Sequence, residues 1–235
     1  MGRAFEFRRA RKEKRWANMA KTFTKIGREI AIAVKQGGAD PSTNPRLRMA
    51  IQNAKGANMP KDNVESAIKR ASSKEEGNFQ EAVYEGYGPN GVAIMVECAT
   101  DNPTRTVANV RMYFNRAGGA LGTSGSLDFM FERKGVFAIP AEGVDTEALE
   151  LELIDHGAEE VTAEEGSILI YTQFSDFGAM QKALDERGII PTSAQLQRIP
   201  TTTTELNDEQ AEAVMGLIER LEEDDDVQAV YHNIA

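Results

Sequence analysis

The sequence predicts an α+β protein of three domains: an N-terminal three-helix bundle and two ferredoxin-like α/β domains, one inserted in the other. Three observations carry this. Apolar residues recur at helical spacing through the first seventy or so positions, then switch to strand-like alternation. Residues 133–199 read strand, helix, strand, strand, helix, strand, the order of the split βαβ motif. The segments on either side, 79–132 and 200–235, read ββαβ and αβ, and together supply four strands and two helices. The expected domains are therefore residues 1–76, residues 79–132 with 200–235, and residues 133–199.

In the head, Phe23, Ile26, Ile30, Ala33 and Val34 form an apolar stripe after Trp16. Lys21, Lys25, Arg28 and Lys35 form a basic stripe on the opposite side of the same helix. Gln36-Gly37-Gly38 ends it. Asn44-Pro45 opens a second helix, with Asn as cap and Pro in the first turn. Its inner face is Leu47, Ala50, Ile51 and Ala54. Pro60 opens a third, with Val64, Ala67, Ile68 and Ala71 inward. The polar stretch SSKEEGN (72–78) reads as a hinge.

In the body, 82–88 and 91–98 pair as a hairpin across Pro89-Asn90. Asn102-Pro103 opens a helix to about Ala117 with Val107, Val110 and Phe114 inward. GGALGTSGS (118–126) reads as a flexible connection and LDFMFERKG (127–135) holds a strand. The inserted domain follows: strand 136–139, helix 146–156, strands 160–163 and 167–173, helix 176–187, strand 193–199. LELELI (149–154) alternates like a strand, but its Glu/Leu content and the His156-Gly157 stop favour helix. A helix over 207–221 and a strand over 227–234 close the chain.

Composition sets the class. Of 235 residues, 41% are hydrophobic and 27% charged, enough for a core without covalent staples. The single Cys98 excludes an intrachain disulfide and suits a reducing compartment. No apolar run has the length to span a bilayer and no signal-peptide core follows the first basic residues, so a cytoplasmic protein without membrane contact is expected. The net charge of −10 hides an asymmetry. Residues 1–70 hold 17 of the 27 Lys+Arg and 6 of the 37 Asp+Glu, a net +11; the rest carry −21. A basic head on an acidic body attracts polyanions at the head.

The densest cluster is Arg3, Arg8, Arg9, Arg11, Lys12, Lys14 and Arg15, opposed only by Glu6 and Glu13. Cations continue through Arg46, Arg48, Lys55 and Lys61. Such side chains contact phosphates and fix position without reading sequence. Trp16 beside Lys14 and Arg15 either stacks on a base or anchors its helix in the core. The remaining motifs have structural readings. GGALGTSGS lacks the GK[ST] of a phosphate loop, and DNPTRT (101–106) is mostly a helix cap with one exposed cation, Arg105. His156 and His232 stand far apart without Cys or His neighbours, so no metal site is expected. No carboxylate pair stands out as an acid/base couple, and the chain reads as a non-enzyme without cofactor. EEDDD (222–226) reads as a solubilising surface run.

Two long stretches, GGADPSTNPRLRMAIQNAKGANMPKDNVESAIKR and YEGYGPNGVAIMVECATDNPTRTVANVRMYFNRAGGALGTSGSLDFMFERKG, closely resemble the YebC/PmpR family, whose mitochondrial relatives include the translational activator of cytochrome oxidase subunit I. The resemblance covers nearly the whole chain. The start departs: RKEKRWANMAKTF is longer and more basic than the usual family beginning, though WAN is kept at 16–18, which marks a divergent subfamily. The resemblance implies three domains, a helical one and two α/β ones, and no catalytic residues. It implies gene regulation through DNA binding, or action at the ribosome, including relief of stalling at proline-rich stretches. Carried onto this chain, it makes Lys21, Lys25, Arg28, Arg46, Arg48, Lys55 and Lys61 contact residues. For Arg8–Arg15 the inference rests on charge alone.

Three functions are compatible with this reading. The first is a DNA-binding transcriptional regulator, although the third helix offers few side chains suited to base reading. The second is a ribosome-associated translation factor that binds rRNA or tRNA by shape and phosphate contact. The third is a small-molecule-sensing module, by fold analogy alone. A monomer is expected.

Overall fold

A computed structural model describes residues 19–73, 78–164 and 166–235. The cluster Arg8, Arg9, Arg11, Lys12, Lys14, Arg15 with Trp16 lies outside the described residues, as does most of the expected 72–78 hinge. The chain divides into two compact units. One holds 19–28, 78–132 and Pro200–Ala235; the other holds 29–73 and Arg133–Ile199. The division falls within the first helix.

In the first unit, β1 (Gln80–Tyr87) and β2 (Ala93–Thr100) form the expected hairpin, with Tyr87 opposite Ala93. The turn works because Asn90 (φ 60) and Gly91 (φ 74) both take the left-handed region. α4 (Pro103–Arg116) follows, its cap Asn102 accepting from the Arg105 amide. β3 is only Ala120–Leu121; α7 (Asp208–Glu223) carries an Asn207/Gln210 capping box, and β8 is Val227–His232. The strands run β3-β1-β2-β8, each neighbour pair antiparallel. The four strands and two helices are as expected, but with the hairpin strands β1 and β2 in the middle this is not the strand order of a βαββαβ sheet. Ile94, Val96 and Cys98 of β2 pack with Val110 and Phe114 of α4 and Val214, Leu217, Ile218 and Leu221 of α7 in one buried core.

One strand departs from the sequence reading. The fourth strand of this sheet comes from Ala120–Leu121 within GGALGTSGS, not from LDFMFERKG. Leu121 packs on the core, and Gly86 lets the backbones close: a Cβ there would lie 2.5 Å from the Ala120 carbonyl oxygen. The rest of the loop is tied down. The Glu85 carboxylate, 3% exposed, accepts from the Gly125 and Leu127 amides, each at 2.7 Å. Leu127 is thereby seated among Ala93, Met95 and Phe131 on the sheet's second face.

The second unit holds the last part of α1 (Met19–Gly37), then α2 (Pro45–Gly56) and α3 (Lys61–Ser72). The predicted single stripe of α1 becomes a belt: Ile30, Ala31, Ile32, Ala33 and Val34 are all buried. Asn44 joins two helices. It donates to the Ala33 and Gly38 carbonyls at 2.7 and 2.8 Å and accepts from the Leu47 amide at 3.0 Å, capping the end of α1 and the start of α2 together.

The unit's sheet has β4 (Phe131–Pro140), β5 (Ala158–Glu164), β6 (Ser167–Gln173) and β7 (Ser193–Pro200) in the order β5-β6-β4-β7. With α5 (Thr146–Ile154) and α6 (Phe177–Glu186) this is the predicted βαββαβ ferredoxin-like topology. The two strands expected around Glu132 and Val136 are one continuous ten-residue strand. LELELI is helical, with Leu149 and Leu153 in the core and Asp145 as cap.

α2 seals the β7 edge. The Asn53 amide donates to the Ala194 carbonyl and accepts from the Ala194 amide, each at 2.9 Å, as a neighbouring strand would. Gly56 permits this approach: a Cβ would stand 1.7 Å from the Thr192 carbonyl oxygen. Gly56→Ala should cost about 2–3 kcal/mol through forced overpacking against backbone. Asn53→Ala should cost about 2 kcal/mol by orphaning two buried backbone groups. Urea unfolding checks both; losses under about 0.5 kcal/mol, the size of an ordinary surface change, would contradict the seal.

Candidate nucleic-acid interface

The predicted contact residues fall into three groups. The first is Lys21, Lys25 and Arg28 of the α1 stripe, and these face protein. Lys21 Nζ donates to the Glu223 carbonyl at 3.4 Å, the last residue of α7. Lys25 Nζ donates to the Gln228 carbonyl at 3.2 Å, at the bulge where β8 slips against β2. Arg28 goes deepest: its Nη1 meets the Ala99 carbonyl at 2.9 Å, the Asp225 carbonyl, and Asp226 Oδ1 at 2.9 Å. The guanidinium also lies 5.1 Å from the Phe79 ring centroid. Cations at the end of α7 are favoured by its dipole, and they offset the acids of that same turn.

Asp226 is the centre of this contact. Its side chain is 4% exposed. Besides Arg28, it accepts at Oδ2 from Arg105 at 2.7 Å, Thr106 at 2.8 Å and Thr100 at 3.2 Å. Its own carbonyl accepts from the Ala99 amide at 2.8 Å. Burial pushes the carboxyl up, but the bonds from Arg105, Thr106 and Arg28 outweigh that and hold it below the usual carboxylate range. The Asp226 bond, then the Asp101 bond, push Arg105 up in turn. Asp224 next door accepts from Asn109 and Tyr113, both at 3.1 Å, and from the Asp226 amide at 2.9 Å. Burial, then Asp224, raise the Tyr113 hydroxyl. Burial first, then Asp224 and Asp226, push Cys98 up to about 12, so its thiol stays protonated.

The second group surrounds the α1–α2 connection. Lys35 is exposed in the last turn of α1. Arg46 donates to Gln36 Oε1 at 2.7 Å, and Arg48 to the Pro41 and Ser42 carbonyls at 2.9 and 3.2 Å. The third group flanks the α2–α3 turn. Lys55 ends α2 and Lys61 starts α3, both exposed, with Lys61 3.5 Å from Glu65. Lys69 and Arg70 stand exposed further along α3. Lys21, Lys25 and Arg28 are thus engaged within the first unit, and the cations of α2 and α3 belong to the second.

Sequence reasoning missed the Asp226 centre. DNPTRT supplies Arg105 and Thr106 to it as well as a cap, and EEDDD holds two internal acceptors rather than a solubilising run alone. The usable signal was that an Arg/Thr-rich cap and the densest acidic run occur in one otherwise acidic body.

Among the described residues, no group of three or more His, Cys, Asp or Glu is placed to hold a metal ion. No described helix is long and apolar enough to cross a membrane. Comparison with known proteins decides the lineage. A model of the TACO1/YebC protein N-terminal domain matches residues 3–74, and one of the TACO1/YebC second and third domain matches residues 79–234.

The chain belongs to the TACO1/YebC family.

Its TACO1/YebC relatives include proteins named "probable transcriptional regulatory protein" from Cytophaga hutchinsonii (59% identical, covering 100% of this chain and 99% of the relative) and Myxococcus xanthus (51%, 100% of both). The crystal structure of a conserved hypothetical protein from Aquifex aeolicus superposes with a TM-score of 0.84 at 42% identity, over 93% of this chain and 91% of that one. The N-terminal model's match begins at residue 3 and so takes in the divergent, basic start.

The Asp226 geometry makes a pH prediction. Its folded pKa lies below the unfolded one, so its stabilisation is present above the unfolded value near 4 and is lost as pH falls through the folded value. Asp226→Asn should lose about 3 kcal/mol at pH 7, because two guanidinium groups lose their shared counter-charge. The variant should also lose less stability than the parent between pH 5 and pH 2. Parallel pH–stability curves would contradict this.

Proposed function

We propose that this TACO1/YebC protein is a non-enzymatic regulator of gene expression that grips the phosphate backbone of nucleic acid through its basic N-terminal helical region, residues 1–76. The observation that carries the reading is the division of the cations. Lys21, Lys25 and Arg28 are engaged with carbonyls and Asp226 of the first unit, whereas Lys55, Lys61, Lys69 and Arg70 stand exposed on α2 and α3, as does Arg48 even with its bonds to the Pro41 and Ser42 carbonyls. The contact surface is assigned to this second set, with Lys35 and Arg46 at its margin. Arg8–Arg15 adds to it by charge alone. The names of the relatives support a role in transcription.

One observation also favours a second reading, a factor bound to structured RNA such as ribosomal RNA. α3 exposes Asp62 and Glu65 among its cations. A helix pressed into the major groove would bring both carboxylates towards the phosphate walls. Recognition by charge and shape suits folded RNA and asks for no reading helix.

A salt titration tests the proposal. Lys55→Glu, Lys61→Glu and Lys69→Glu together should weaken binding to duplex DNA and to a structured RNA, flattening the log–log slope for DNA by ~0.9 per lost contact. Lys182→Glu, exposed on α6, should leave the slope unchanged. An unchanged slope in the triple variant would remove α2 and α3 from the interface. Tighter salt-matched binding to RNA than to DNA would select the second reading.

A further inference from the structure

The two sheets have four edges, and three are closed off. β3 is two residues long. β8 is flanked by the Lys25 contact to Gln228 and by a parallel bridge between Thr204 and Ile234. β7 is sealed by Asn53. The fourth, β5, runs seven residues, ends the order β5-β6-β4-β7, and has no strand beyond it among the described residues. Past an irregularity between Ala158 and Glu160, the open edge over Glu160–Glu164 offers a row of backbone donors and acceptors.

The sequence that builds it is acidic. From Gly135 to Gln181 there are eleven Asp and Glu and no Lys or Arg. Glu160 and Glu164 are exposed on β5, and Glu147 and Asp155 are exposed on or just after α5, which packs beside β5. Two nearby acids are already engaged within the unit: Glu159 with Lys134 and Gln173, and Glu152 with Arg187. On the outer side of α5, Leu151 is 73% and Ile154 53% exposed, three positions apart and so neighbours on the helix surface. An edge that only had to repel copies of itself needs the acids but gains nothing from exposed leucine and isoleucine beside them.

We propose that the β5 edge takes a basic, extended polypeptide segment as a fifth strand of this sheet. Charge complementarity selects the occupant. An added strand projects every second side chain onto one face of the sheet. Arg or Lys at those positions would meet Glu160 and Glu164, which lie opposite Tyr171 and Ser167 on β6. Leu151 and Ile154 supply apolar contact for the flanking part of the same segment. A second copy of this chain is disfavoured, because two such edges would set like charges opposite each other. This surface lies outside the cations assigned to nucleic acid, and its test needs no nucleic acid.

The test uses the full chain and a twelve-residue synthetic peptide alternating arginine with threonine and valine, beside a counterpart with glutamate for arginine. Binding is read by fluorescence anisotropy and its location by amide hydrogen exchange. The basic peptide should slow exchange of amides within 158–164 about tenfold at saturation. Its affinity should fall between 50 and 300 mM salt, and the acidic peptide should not bind. Glu160→Lys with Glu164→Lys should weaken binding at least about tenfold, as expected for two exposed complementary charges, while leaving the melting temperature near that of the parent. Leu151→Ser with Ile154→Ser should weaken it without changing its salt dependence. Absence of binding, protection confined to the acidic turn after α7, full binding by the Glu160→Lys/Glu164→Lys variant, or self-association blocked by that variant would each overturn the proposal.

Discussion

The Asp226 carboxylate is the constraint on which the arrangement of the first unit turns. A single buried negative charge collects two guanidinium groups and two hydroxyls, contributed by α1, α4 and the end of β2. Burying it alone would be prohibitive, and burying Arg28 without it nearly as costly. The elements that carry the partners are thereby held to one geometry. Arg28 then fixes the rotation of α1, and that rotation turns Lys21 and Lys25 towards the end of α7 and the β8 bulge. The basic helix of an acidic protein is, over this stretch, an internal counter-ion.

That changes what the charge asymmetry means. A head of +11 and a remainder of −21 suggest two separate surfaces, one seeking polyanions and one repelling them. The structure shows part of the opposite charge meeting inside one unit. The proposed polyanion contact falls to the exposed cations of α2 and α3, and the proposed polycation contact to the acids around α5 and β5. The same economy governs sheet edges. Asn53 gives β7 its missing partner and Lys25 satisfies a carbonyl of β8, which leaves β5 as the long open edge.

Most of the fold was legible in the sequence because its signals are local. Asn-Pro pairs marked the starts of α2 and α4, the change from helical to alternating periodicity marked β1, and the βαββαβ order of the second sheet followed from element sequence alone. β3 was not legible. Two residues carry no periodicity, and their pairing depends on Gly86 admitting a backbone at close range. The stripe on α1 was legible as a stripe but not as an inward one, since helical spacing says which side chains share a face and not what covers it. Asp226 was hidden for a related reason. Its partners lie 120 to 198 positions away, and a carboxylate within a run of five acids looks like surface until those partners are in place.

The central claim is that Lys21 and Lys25 of α1 are committed to the protein and the α2–α3 lysines are available to nucleic acid. Amine acylation of the full chain, read residue by residue by mass spectrometry with and without bound nucleic acid, tests it most directly. Lys21 and Lys25 should react slowly in both states, and Lys55, Lys61 and Lys69 should react fast alone and become protected on binding. Fast acylation of Lys21 and Lys25 in the free protein, with protection of those two when nucleic acid binds, would contradict the account.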